Sequence, residues 1–119
     1  MSNEVRDWLA GLEGWTTYMA SNGVVVWERG SIDDGTYETR TTHPIPDDLT
    51  TCAAMWDEYA GEHGWEWWRL RSWYTACSTT STGELDRQVT ADKTGHDAAS
   101  ELRDRWALLG EVLKARGVW

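Results

Sequence analysis

The chain switches between segments whose apolar residues recur every three or four positions and segments in which apolar and polar residues alternate. Near the N-terminus, Val5, Trp8, Leu9 and Leu12 follow the helical spacing, and Gly14 comes just after them. Glycine readily adopts the left-handed conformation with which helices commonly end. This pattern predicts a short first helix.

Two β-rich runs follow and are joined by Asn22-Gly23. A two-residue turn of type I′ needs positive φ at both central positions, which Asn and Gly tolerate best. The sequence therefore predicts a hairpin with strands Trp15–Ala20 and Val24–Arg29. The mixture of Thr, Tyr and charged residues over Thr36–Thr42 predicts a third strand at the edge of the sheet.

The period changes after Pro44 and Pro46, the only two prolines in the chain. Asp47 or Asp48 is expected to cap a second helix, because a carboxylate accepts hydrogen bonds from the first turn. The apolar positions that then recur at helical spacing are Leu49, Cys52, Ala53, Trp56, Tyr59 and Ala60.

Residues 64 to 77, GWEWWRLRSWYTAC, contain four of the ten tryptophans and two of the eleven basic residues. As one strand, this run would place a core face at Trp68, Leu70, Ser72, Tyr74 and Ala76. The opposite face would be an aromatic–arginine stripe of Trp65, Trp67, Arg69, Arg71 and Trp73, with Thr75 beside it. Three interpretations of the stripe are open: a ladder packed beneath a helix, a protein interface, and a pocket for a planar anion.

A fifth strand is predicted in ELDRQVT, residues 84 to 90, and a long helix follows it. One face of that helix carries Ala98, Leu102, Trp106, Leu109 and Leu113. The resulting order, α-β-β-β-α-β-β-α, predicts an α+β protein forming a single domain over residues 1–119. We expect a layered sandwich in which an antiparallel or mixed sheet is packed by helices.

Acidic residues are concentrated in the middle of the chain. Residues 31 to 66 hold nine acids and one base, a difference of −8 in a total net charge of −9. Duplex nucleic acid needs clustered Lys and Arg, so direct nucleic-acid binding is not expected. The charge either serves solubility alone or attracts a basic protein partner, with Asp57, Glu58 and Glu62 of the second helix as candidate contacts.

The two cysteines, Cys52 and Cys77, are expected to be reduced, since the N-terminal stretch lacks the cationic and apolar regions of a signal peptide. No segment approaches the roughly 20 apolar residues of a membrane span. These features predict a cytosolic protein that does not associate with a membrane. The exposed strand Thr36–Thr42 would allow two copies to pair as a homodimer.

Motifs for metal binding or catalysis are not found in the sequence. The histidines and cysteines have neither CxxC nor HExxH spacing, and no metal or cofactor is expected. The stretch ADKTG, residues 91 to 95, lacks the glycines and the preceding strand of a phosphate-binding loop. An enzyme built on Cys77 or His96 is the weakest interpretation, and we expect no catalytic residue.

Four spaced motifs form a recognisable series. A Gly-Trp step ends the first helix, a P-x-x-D segment opens the second, another Gly-Trp step opens a Trp-centred strand, and a Thr precedes the last helix. The corresponding residues are Gly14-Trp15, Pro44 to Trp56, Gly64-Trp65 and Thr94. By these motifs the chain resembles the small phage and prophage hypothetical proteins of the α-β-α sandwich type, although residues 15 to 43 depart from that pattern. The resemblance implies a sandwich fold and a phage context, and it transfers no catalytic residue.

These observations support two functional hypotheses. The first is a non-catalytic phage protein that inhibits or modulates a host protein, such as an anti-phage defence protein, through an acidic, Trp-rich surface. The alternative is a protein that sequesters a nucleotide signal in a pocket formed by Arg69, Arg71 and Trp73. The two differ in whether the arginines are buried in a pocket or open to solvent beside an exposed apolar patch.

Overall fold

Two antiparallel sheets and three helices make up the computed structural model, which describes residues 2–119, with side chains from Glu4 onward. The helices are α1 (Ser2–Leu12), α2 (Leu49–Tyr59) and α3 (Ala98–Ala115), and a short 3-10 helix covers Gly61–His63. The strands are β1 (Thr16–Met19), β2 (Val25–Arg29), β3 (Glu38–Arg40), β4 (Trp65–Arg69), β5 (Trp73–Thr79) and β6 (Leu85–Asp92). The α+β class is confirmed, with one strand more than the sequence predicted.

The chain divides into two compact units. One unit comprises Arg6–Pro46 and contains the sheet β1-β2-β3; the other comprises the residues up to Val5 together with Asp47–Trp119 and contains the sheet β4-β5-β6. The expectation of a single domain stays a prediction. No helix in the part of the chain that the structure describes is long and apolar enough to cross a membrane.

The hairpin in the smaller unit is confirmed, but its turn differs from the predicted one. Gly23 N–H donates to the Ala20 carbonyl at 2.9 Å, and Ala20 N–H donates to the Val24 carbonyl at 2.9 Å. Gly23 has a φ of 81°, whereas no residue other than glycine in the described chain has a positive φ. Asn22 instead uses its side-chain oxygen to accept from Val24 N–H. The turn therefore contains more residues than a two-residue type I′ turn, and Gly23 is its only residue in the left-handed conformation.

A tryptophan stacked by two arginines forms the centre of this unit. Trp15 is buried, with the guanidinium carbons of Arg29 and Arg40 at 4.5 and 5.1 Å from its ring centroid. Glu38 holds Arg29 through a 2.5 Å ion pair, which fixes the cation over the indole.

The predicted third strand is present as β3, but β3 covers only Glu38–Arg40, whereas the prediction was Thr36–Thr42.

The second sheet carries α2 and α3 on one of its two faces. Trp56 of α2 meets the edge of Trp67 with ring centroids 6.5 Å apart, and the guanidinium of Arg105 in α3 lies 4.7 Å from the same ring. Residues of this face are paired across the strands, as Trp67 with Ala76 and Ala76 with Val89. We call this side of the sheet the inner face.

Both helices of this unit begin at an aspartate. Asp48 Oδ1 accepts from Thr51 N–H at 2.7 Å, and Asp97 Oδ1 accepts from Ser100 N–H at 2.8 Å. Such a cap satisfies a backbone donor that the helix itself leaves unpaired. Asp48 is thus the cap of α2, one of the two predicted residues. The core that the helices build includes Cys52, Trp56, Trp106, Leu108, Leu109, Val112 and Leu113.

A turn at Leu70–Ser72 separates β4 from β5, so the predicted single strand over residues 65 to 76 is wrong. Leu70 N–H donates to the Trp73 carbonyl at 2.9 Å across this turn. The chain reverses, and odd-numbered residues of β4 pair with even-numbered residues of β5, as Trp67 does with Ala76. The two faces that the sequence predicted are therefore correct for β5 and interchanged for β4.

Candidate functional site

The turn divides the predicted aromatic–arginine stripe among three locations. Trp65, Trp67 and Arg69 belong to the inner face of the sheet, Arg71 lies in the turn, and Trp73 lies on the opposite face. These five residues therefore do not form one continuous surface. The prediction of a shared stripe is wrong, because it depended on one uninterrupted strand.

Trp65 and Trp67 are packing residues of the inner face. Trp65 is 2% exposed, and the guanidinium of Arg87 lies 5.5 Å from its ring. Trp67 is half-buried among Trp56, Tyr74 and Arg105. An arginine over an indole contributes about 0.5–2 kcal/mol, depending on how far it is desolvated. The interpretation as an Arg–Trp ladder beneath a helix accounts for these two residues.

The opposite face of this sheet, which we call the outer face, presents two exposed tryptophans. Trp68 is 46% exposed and Trp73 is 43% exposed. Trp68 pairs with Thr75, and Thr75 is two positions from Trp73 on β5, so both indoles project from the same side. The residues that the registers place on this face are Glu66, Trp68, Trp73, Thr75, Cys77, Gln88, Thr90 and Asp92.

Two carboxylates flank the tryptophans of the outer face. Glu66 precedes Trp68 by two residues on β4, and Asp92 of β6 lies directly opposite Trp73. Both carboxylates are exposed, and neither is ion-paired with any residue that the structure describes. The outer face therefore combines indole rings with negative charge.

Hydrogen bonds hold the centre of the outer face in place. Gln88 Nε2 donates to Thr75 Oγ1 at 3.0 Å, and Thr75 Oγ1 donates to the Val89 carbonyl at 3.2 Å. Thr75 is consequently 7% exposed, although it belongs to the face turned away from the helices. Trp73 projects from the central strand of this sheet, and Trp68 projects from the edge strand β4.

The acidic candidates of the sequence lie elsewhere. Asp57 and Glu58 are exposed on α2, which packs against the inner side of the sheet, and Glu62 is exposed in the short helix after it. None of the three has an ion-pair partner among residues 4–119. Asp57 and Glu58 therefore belong to the helix layer, whereas Trp73 projects from the other side of the sheet.

A cavity of about 290 Å³ lies where the β4–β5 turn meets the loop between β6 and α3. Its lining residues are Arg71, Ser72, Lys93, Thr94, Gly95 and His96. The strands bring these segments together, since Lys93 N–H donates to the Ser72 carbonyl at 3.2 Å. We call this the basic cavity, because three of its side chains can carry positive charge and none carries a negative one.

An adjoining cavity of about 430 Å³ shares Lys93, Gly95 and His96 with the basic cavity. Arg69 also lines it, and this guanidinium forms a 2.7 Å ion pair with Glu101 of α3. Burial, followed by the negative charge of Glu101, raises the pKa of the buried Tyr74 in its wall. Arg69 therefore has a carboxylate partner, unlike Arg71.

The two cysteines are free thiols in different environments. Cys52 is buried in α2, and burial raises the pKa of its thiol to about 12. Cys77 is half-buried on the outer face of the sheet. A thiolate is the reactive form of cysteine, so we expect Cys52 to react slowly in the folded protein.

The three histidines are dispersed. His43 Nε2 lies 2.7 Å from Asp7 Oδ1, His63 Nδ1 lies 3.3 Å from Arg116, and His96 lines the basic cavity. Across the described residues, no group of three or more His, Cys, Asp or Glu side chains is arranged to hold a metal ion.

Two features of this unit were missed by the sequence patterns. The exposure of Trp68 differs from the prediction because a turn interrupts the predicted strand. The basic cavity is absent from the prediction because ADKTG has no preceding strand there, whereas β6 extends to Asp92 immediately before Lys93. The alternating polar and apolar residues of LDRQVTAD, extended by two positions, were the available signal.

Comparison with protein-family models, with curated proteins and with solved structures finds no significant match to this chain. The resemblance to phage sandwich proteins therefore stays a prediction.

Proposed function

We propose that this protein is a non-catalytic binding protein that docks a cationic segment of a partner protein on the outer face. The observation that carries the proposal is the pair Trp68 and Trp73, which are nearly half exposed on one face of the sheet and flanked by Glu66 and Asp92. Exposed aromatic side chains of this kind are typical anchors of protein interfaces.

The chemistry of this face selects a basic occupant. The face of an indole attracts a Lys or Arg side chain through its ring electrons, and a carboxylate beside it adds an ion pair. A strongly anionic partner would instead meet Glu66 and Asp92. The same reasoning disfavours nucleic acid, whose phosphates need clustered cations.

The acids of α2 have a supporting role in this proposal. Asp57, Glu58 and Glu62 contribute to the net charge of −9 and would attract a basic partner over longer distances. Such charges chiefly accelerate association and are screened by salt. They are not proposed to contact the segment bound on the outer face.

The proposed setting follows from two further observations. The phage resemblance suggests a host protein, such as a defence protein, as the partner that is inhibited or modulated. The free thiols Cys52 and Cys77 suit the reducing cytosol of a host cell.

Indole NMR signals of the full chain, titrated with a defined peptide, test the proposal. The probe is a Lys- and Arg-rich peptide with interspersed Leu, and the control peptide has Glu in place of each base. We expect the indole N–H signals of Trp68 and Trp73 to shift with the basic peptide only, while that of the fully buried Trp106 stays fixed. Equal shifts with both peptides, or none at Trp68 and Trp73, would overturn the proposal.

The alternative function, sequestering a nucleotide, would use a different site from the one predicted. Arg69 and Arg71 line two adjoining cavities, whereas Trp73 lines neither of them. A nucleotide-binding version of the proposal is therefore better supported at the basic cavity than beside Trp73.

A further inference from the structure

We propose that the basic cavity binds the phosphate group of a small anionic ligand. This site adjoins one end of the outer face, since Ser72 precedes Trp73 and Lys93 follows Asp92, but it shares no residue with that face and is independent of the proposed protein-binding function. The proposal rests on three observations: the charge of the lining, the rigidity of the loop that carries it, and the space beside it.

Positive charge is concentrated here in a chain that is otherwise acidic. Arg71, Lys93 and His96 line one cavity of about 290 Å³, and no Asp or Glu is among its lining residues. None of these three side chains is ion-paired or hydrogen-bonded to another residue that the structure describes. Cations that lack carboxylate partners and face a common cavity are well placed to bind an oxyanion.

The loop that carries Lys93 and His96 is fixed by its neighbours. Thr94 N–H and Thr94 Oγ1 donate to the two carboxylate oxygens of Asp104 at 2.9 and 2.7 Å. Asp104 is 1% exposed, so this clamp is anchored in the core of α3. A lining that is held in place before binding loses little conformational entropy when a ligand arrives.

Gly95 keeps the same loop close to the first turn of α3. A Cβ at Gly95 would collide with Ser100 Oγ and would lie 3.1 Å from Ser100 Cβ. A larger residue at this position would require the Ser100 side chain to rotate and the loop to move slightly away from the helix. The resulting strand–loop–helix arrangement places Lys93 and His96 on either side of the Thr94-Gly95 pair.

Further hydrogen-bond donors are free in the lining. The backbone N–H groups of Gly95 and His96 and the hydroxyl of Ser72 make no hydrogen bond to any residue that the structure describes. A phosphate has three or four oxygens that accept such bonds. Together with the cations of Arg71 and Lys93 and the imidazole of His96, these groups suit a tetrahedral, multiply charged oxyanion better than a carboxylate.

The neighbouring cavity provides room for the rest of a ligand. It measures about 430 Å³, opens beside the shared residues Lys93 and His96, and has the buried Tyr74 in its wall. Its acids, Asp97 and Glu101, disfavour a second anionic group there. This arrangement points to a ligand with one phosphate end and an uncharged remainder, such as a nucleoside monophosphate, or to phosphate alone.

Calorimetric titration of the full chain tests the proposal with three probes: inorganic phosphate, adenosine 5′-monophosphate and adenosine without phosphate. Arg71→Gln and Lys93→Gln each remove one cation of the lining. Lys114→Gln is the matched control, since Lys114 is an exposed cation on α3 that contacts Trp119 and Glu111.

We expect the native chain and Lys114→Gln to bind phosphate alike, and each lining variant to bind it about tenfold more weakly, since one charge-assisted contact is lost. Tighter binding of the monophosphate than of phosphate, with the same loss in Lys93→Gln, would identify a nucleotide end group. Equal binding of both would identify free phosphate. Absence of phosphate binding by the native chain, or equal affinity in all three variants, would overturn the site. The two outcomes that would overturn the phosphate site leave the outer-face proposal unchanged, because none of these substitutions alters Trp68 or Trp73.

Discussion

The indole N–H of Trp106 in α3 donates a 2.9 Å hydrogen bond to a carboxylate oxygen of Asp47, the residue before the N-cap of α2. Trp106 is fully buried, and this bond satisfies the one polar atom of its side chain. The sequence offered Asp47 as a helix cap, and the structure gives that role to Asp48. Asp47 instead connects the two helices of the larger unit.

Shortening Trp106 is expected to destabilise the fold strongly. Trp106→Ala should lower the free energy of unfolding by about 3–5 kcal/mol, because it removes buried apolar surface and leaves a cavity. Asp47→Ala should cost about 1–3 kcal/mol, since the buried indole N–H then lacks an acceptor. Urea denaturation measures both effects. If Asp47→Ala proved as stable as the native chain, the hydrogen bond would have no role in stability.

Stability is expected to fall in acid through the two helix caps. The Thr51 N–H lowers the pKa of Asp48, and the Ser100 hydroxyl and N–H lower that of Asp97, from the usual 3.8. A lowered folded pKa means that the stabilisation is present above about pH 3.8 and is lost as pH falls through the folded values. The urea midpoint should therefore drop below pH 4.

The double variant Asp48→Asn/Asp97→Asn supplies the control for this effect. Asn still caps a helix but does not titrate in this range. The midpoint of this variant should depend less on pH between about 4 and 2 than that of the native chain. Parallel pH profiles would show that other carboxylates cause the acid sensitivity.

The two thiols are expected to react with a disulfide reagent at different rates. Cys77 is half-buried on the outer face, whereas burial raises the pKa of Cys52 to about 12. Cys77 should therefore react first in the native protein, and Cys52 only after unfolding in urea. Rapid labelling of native Cys77→Ser would mean that Cys52 is more accessible than the structure has it.

The close approach of Gly95 to Ser100 predicts that a second substitution at Ser100 restores stability lost by a substitution at Gly95. Gly95→Ala should destabilise the chain by about 1–3 kcal/mol, because its methyl group collides with Ser100. The second substitution Ser100→Ala removes the hydroxyl oxygen and should restore part of the loss. Thermal unfolding of both variants measures this. A double variant no more stable than Gly95→Ala would place the cause elsewhere.

Local signals predicted much of the fold. Asn22-Gly23 marked the hairpin, and an aspartate with a helical apolar face marked the start of α2. The turn at Leu70–Ser72 could not be predicted in this way. It contains no Gly, Pro, Asn or Asp, and no residue in it has the positive φ that makes turns recognisable.

The predicted positions of the site residues were wrong mainly because the turn at Leu70–Ser72 was not predicted. Continuing the strand through Arg71 assigned Trp68 to the core and joined residues that lie on different faces. The basic cavity depended on another feature: Arg71 and Lys93 meet through the pairing of β5 with β6, and the predicted strand ended at residue 90, two residues before the end of β6.

Docking of a basic segment on the outer face is tested by comparing two charge-reversal variants in their affinity for the basic peptide. Glu66→Lys/Asp92→Lys alters the outer face, and Asp57→Lys/Glu58→Lys makes the same change in net charge on α2. We expect the first variant to weaken binding about tenfold or more at physiological salt and the second to have a much smaller effect, because screened charges away from the contact matter little. Equal losses in both variants would contradict docking on the outer face and would leave only non-specific attraction to an acidic protein.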